Sequence, residues 1–296
     1  MTIALPSARH KAGFTLTELL VALGLTGLIM GAVLTLNLRT NDAATTLQTR
    51  TDLTGEVQVA QNYIASKLRN AVYVFPYYSA ASGLSSTFTL ATSGYSTFNP
   101  AARAGRSGTG NYTWRYAFGT VAADPFLAFV LPPEGGNAAG PGSCAASSAA
   151  MRKTNCYAFY AYYAVPRSLL VAGNGSSVPT NVNKLQSDGV NDTSTWALME
   201  YRAYYTSAGY GGGSPGSIPT GGTGLLVLDY VRPTTETTVG STVDKLFVAS
   251  TTPVTAVTLN LAATRQIGDE TVNVPGTDRY SLRVYPRNLS NATPNN

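Results

Sequence analysis

The chain has a single histidine, His10, and only two cysteines, Cys144 and Cys156. A zinc centre built on four cysteines, or on two cysteines and two histidines, therefore lacks ligands. A serine or cysteine nucleophile served by an imidazole base would have to use His10. Charge is also scarce: Asp, Glu, Lys and Arg make up 12% of the 296 residues, about half of the roughly 25% usual for soluble domains. No clustered acid–base motif and no nucleotide-binding motif stands out. The stretch 208–223 is rich in glycine, with Gly209 and Gly211 spaced like a phosphate-binding loop. It lacks the strand–turn–helix context such a loop needs, and Pro215 and Pro219 argue for a plain loop. No cofactor and no enzymatic activity is expected.

What is present is apolar and aromatic material: 44% hydrophobic residues, with 18 Tyr, 9 Phe and 2 Trp. Low charge with so many aromatics describes an ordered fold rather than a disordered chain. Ser, Thr, Asn, Gly and Ala take the surface role usually held by Lys and Glu. That composition suits display outside the cell better than a cytosolic enzyme.

The N-terminus carries the strongest pattern. Residues 1–13 contain no acid and end in a basic cluster, Arg9-His10-Lys11. Between Glu18 and Arg39 lie 20 residues without a charge. As a helix they span about 30 Å, one bilayer core. Positive charge precedes the apolar run, so that end is expected to stay cytoplasmic. An ordinary secretory leader fits less well, because the run exceeds the usual apolar length and lacks a small-residue cleavage site after it.

Gly13-Phe14-Thr15-Leu16-Thr17-Glu18-Leu19-Leu20-Val21 resembles the type IV prepilin signature, a glycine and phenylalanine followed by a glutamate at the fifth mature position. The resemblance covers about 30 residues. It implies a leader over 1–13, cleavage by a prepilin peptidase between Gly13 and Phe14, and N-methylation of Phe14. It further implies a single-pass inner-membrane anchor, with the transmembrane part at about 19–38, that later packs with other pilins in a filament core. Glu18 is the assembly residue on this reading, pairing with the Phe14 ammonium of a neighbouring subunit. A carboxylate is costly inside lipid, although it suits the first turn of a helix.

Beyond the apolar run, Leu47, Leu53, Val57, Ala60, Ile64, Leu68 and Ala71 recur at mostly helical spacing,. One helix is expected over 14–74, ended by Pro76 and interrupted at Thr54-Gly55. Gly24, Gly27 and Gly31 are expected points of bending. Strands are expected at 86–92, 112–118, 126–131, 156–165, 197–205, 224–231, 245–249, 254–262 and 280–285. In 197–205 and 280–285 the alternation implies one wet and one buried face. Long loops are expected at 132–155, 171–195 and 208–223. The fold class is α+β: a long N-terminal helix and a mostly antiparallel β head over 75–296. This order, with Arg287-Asn288 near the end, resembles PilW-type minor pilins and GspJ-type pseudopilins. Those resemblances imply a subunit of a type IV pilus or of a type II secretion pseudopilus, in a tip or priming complex.

If the head lies outside the inner membrane, an oxidising compartment favours a Cys144–Cys156 disulfide pinning a surface loop. Charge is uneven: residues 57–187 carry +7, and no acid occurs over 57–123. Arg103, Arg106 and Arg115 lie near Tyr112, Trp114 and Tyr116. Basic and aromatic residues together suit DNA, which raises a second reading, a tip subunit that captures DNA or another ligand. Strand periodicity in 112–116 instead sends the aromatics to the core. Asp188 and Asp192 lie at a spacing reminiscent of a calcium loop, but the remaining ligands are missing.

Overall fold

The computed structural model describes residues 15–75, 87–90, 112–115, 126–135, 144, 148–171, 185–205, 219, 223–234, 245–249 and 254–289. For 87–90, 112–115, 126, 149, 150, 165, 166, 169 and 223 it describes the main chain alone. By their contacts, 1–49 and 50–296 are two units.

Helix α1 runs Leu16–Arg69, unbroken through Thr54 and Gly55. Its start is fixed by a reciprocal cap. The Thr15 hydroxyl accepts from the Glu18 N–H at 3.3 Å, and Glu18 Oε2 accepts from the Thr15 N–H at 2.9 Å. Two otherwise unpaired helix-start donors are thereby satisfied. In the first unit, residues 15–45 are all exposed, and the helix is long and apolar enough to cross a membrane. Thr26, Thr35 and Thr40 return their hydroxyls to the carbonyls of Ala22, Gly31 and Leu36, each at 2.8 Å. A threonine that bonds its own helix presents lipid with a methyl group instead of an unsatisfied donor.

In the second unit the helical stripe becomes core. Leu53, Val57, Ala60, Ile64, Leu68 and Ala71 are all buried, whereas Leu47, in the first unit, is 64% exposed. The helix stops at Arg69, short of the expected end at 74. Asn70 and Ala71 close a tight turn back to Lys67 and Leu68. The chain is then recruited into the sheet: β1, Tyr73–Val74, pairs with Val130 and Phe129. Ladder bonds and two sheet-favouring side chains outcompete another helical turn.

The remaining strands are β2 Thr87–Leu90, β3 Tyr112–Arg115, β4 Phe126–Leu131, β5 Ala158–Pro166, β6 Trp196–Tyr204, β7 Thr223–Val231, β8 Phe247–Ala249, β9 Val257–Leu261, β10 Ala263–Ile267, β11 Glu270–Val274 and β12 Tyr280–Val284. They form a seven-stranded sheet in the order β1-β4-β5-β6-β7-β10-β11, a three-stranded sheet β12-β9-β8, and the pair β2-β3. Every ladder between these strands is antiparallel. An α+β, pilin-like arrangement results, a long N-terminal helix followed in sequence by antiparallel sheet.

Strand alternation sorts the core into two clusters. Leu127, Phe129, Tyr160, Tyr162 and Leu198 share one with the helix residues and with Leu259 and Leu261 of the small sheet. Ala128, Val130, Phe159, Ala161, Tyr163, Ala197, Met199 and Tyr201 form the other, with Phe75 and Leu170. Ala197–Tyr201 is thus buried on both sides, unlike the one wet face expected of 197–205. Each fully buried Leu or Ile contributes about 1.5–3 kcal/mol relative to exposure. In β12 the expected alternation is present, with Ser281 and Arg283 outward and Val284 inward.

The expected loop 132–155 contains a helix, Ala149–Asn155, capped by the Ser148 hydroxyl. The expected loop 171–195 contains one helical turn, Asn191–Ser194. The described part of 208–223 comprises only residues 219 and 223, so Gly209 and Gly211 lie outside the described residues.

Candidate functional site

The N-terminal segment holds the residues the sequence singled out for assembly. Gly13 and Phe14 lie outside the described residues. Glu18 Oε2 also accepts from the Thr15 hydroxyl at 3.0 Å. Its carboxylate is therefore held over the helix start by one neighbour, with both bonds on a single oxygen. The large side chains around it are solvent-facing, Leu16 at 80% and Leu20 at 64%. Within one chain, no described residue covers this apolar surface.

Cys144 and Cys156 are joined, with Cα atoms 5.8 Å apart. Both are almost fully buried, at 3% and 2% exposure, so the bridge reaches below the surface instead of pinning an exposed excursion. The helix it flanks is also tied in its last turn, beside Cys156. Glu134 N–H donates to Lys153 O at 3.3 Å and Gly135 N–H to Thr154 O at 2.8 Å. A Cβ at Gly135 would meet Thr154 O at 2.9 Å, so only glycine permits this approach,.

The basic–aromatic region of the sequence is only partly placed. Arg103, Arg106 and Tyr116 lie outside the described residues. Tyr112, Trp114 and Arg115 belong to β3, where Trp114 pairs with Phe88 and Arg115 with Thr87 in the ladder. Lys67, on the helix, sits 5.6 Å from the Tyr160 ring centre and 5.8 Å from that of Tyr63.

Two polar networks have no counterpart in the sequence reading. In the first, the Tyr162 hydroxyl donates to Glu200 Oε2 at 2.7 Å, both residues being buried. Burial, and then the Glu200 carboxylate, hold the Tyr162 and Tyr63 phenols well above the ordinary tyrosine range,. In the second, Arg167 is nearly inaccessible yet fully partnered. Its Nε meets Asp229 at 3.0 and 3.2 Å, its Nη2 donates to Gln186 O at 2.9 Å, and its Nη1 meets Asp192. Asp188 accepts from the Tyr230 hydroxyl at 2.6 Å and from Arg265 at 3.1 Å.

Tyr230 lies between the two guanidinium groups, 4.8 Å from Arg167 and 4.7 Å from Arg265. Its φ is +53°, a strained value for a tyrosine, and cation–π attraction on the ring offsets that cost. Asn191, buried, exchanges both amide bonds with the Gln266 main chain at 2.8 and 2.9 Å. Asp188 and Asp192, set at a calcium-loop spacing, are thus spent on arginines, a tyrosine, Ser187 and main chain. No local signal marks the arginine and tyrosine partners of Asp188 and Asp192, which are 25 to 77 residues away in sequence.

With this geometry in place, comparison with known proteins is informative at one end of the chain. Residues 8–34 match the prokaryotic N-terminal methylation motif. No curated protein and no solved structure matches the chain. The motif, on a long exposed apolar helix, supports a type IV pilin-like protein. It implies processing by a prepilin peptidase and assembly with other pilins.

Proposed function

We propose that this chain is a minor pilin or pseudopilin whose work is assembly, not catalysis. Its leader, 1–13, is removed after Gly13, and Phe14 becomes the methylated N-terminus. The anchor crosses the inner membrane at about 19–38, with 75–296 outside the cytoplasm. The subunit then enters a type IV pilus or a type II secretion pseudopilus, in the complex that primes or tips the filament.

The observation that carries this reading is the state of the helix start. A chain with the methylation motif exposes its whole apolar segment over 19–38, with one carboxylate, Glu18, fixed at its edge in the first turn. An uncovered apolar surface of that size needs lipid or neighbouring helices. A carboxylate at its edge needs a cationic partner once water is excluded, and the amine freed at Phe14 supplies one. The buried Cys144–Cys156 bridge supports a head in an oxidising compartment,.

The test is incorporation. A Glu18→Leu chain should be cut and membrane-inserted like the wild type, yet be absent from sheared filaments or from cross-links to other pilins. Normal incorporation of Glu18→Leu would refute the assembly role.

A further inference from the structure

We draw no further inference here: the strongest candidate, the outer edge of the three-stranded sheet at β12, where Ser281 and Arg283 stand exposed, carries none, because nothing in the structure shows what covers it and a charged strand edge is ordinary protection against pairing.

Discussion

Gln61 of the long helix donates from one amide nitrogen to the main-chain oxygens of Leu259, at 3.1 Å, and Tyr280, at 2.5 Å. It is 7% exposed and reaches two neighbouring strands of the small sheet from within an otherwise apolar interface. Replacement by Leu keeps the volume and takes the donor from one buried and one partly buried carbonyl. Each such loss costs about 1–3 kcal/mol. Gln61→Leu should therefore lower the denaturant midpoint of the full chain in detergent, with an unchanged slope.

Arg167 should be the most sensitive side chain outside the apolar core. It is 3% exposed and faces Asp192 and Asp229. Arg167→Met leaves two carboxylates without their shared cation, a loss of about 3–5 kcal/mol. Arg167→Lys should recover little of it, because an ammonium cannot serve Asp229, Asp192 and Gln186 O in the guanidinium's fixed fork. Thermal unfolding of the two variants side by side checks both expectations.

Acid should reach this network from the carboxylate side. Burial alone raises the Asp188 and Asp192 pKa values, but it is outweighed. For Asp188 the Tyr230 hydroxyl and Arg265 win; for Asp192, Ser187, the Asp188 N–H and Arg167 do. Both folded pKa values are depressed. Their contribution is thus complete above the unfolded value of about 3.9 and is lost as pH falls through the lower folded value. Asp192→Asn should lower stability at pH 7 and flatten its decline below about pH 4. An unchanged acid limb in unfolding midpoints would contradict this.

The Cys144–Cys156 bridge closes a short loop around one helix. Its loss should cost about 2–4 kcal/mol. Gly135→Ala should loosen the same helix at its C-terminal end, through the 2.9 Å approach to Thr154 O. Faster hydrogen exchange over 148–156 in each variant, with 196–204 unaffected, is the expected signature.

What the sequence made legible was whatever repeats at short range. The apolar run, the helical stripe from Leu53 to Ala71 and most strands announce themselves by period. The hairpin β10–β11 does not, because Thr264, Gln266, Thr271 and Asn273 give it a polar face, and Arg265 and Glu270 interrupt the apolar pattern of the other. Its signal was the two-residue turn at Gly268, whose φ of +58° suits glycine,. The helix end at Arg69 was set by a ladder with Val130 and Phe129, far along the chain, which no local pattern carries. The same holds for Gln61, Glu200 and Arg167, which read as surface residues in isolation. Only the fold supplies their partners.

Processing of the chain as a prepilin is read at its N-terminus. Intact mass and N-terminal sequence of the native membrane protein, with and without its prepilin peptidase, test it most directly. The prediction is a chain that starts at methylated Phe14 only when the peptidase is present. A chain still starting at Met1 in both cells, or one cut beyond Leu36, would contradict it.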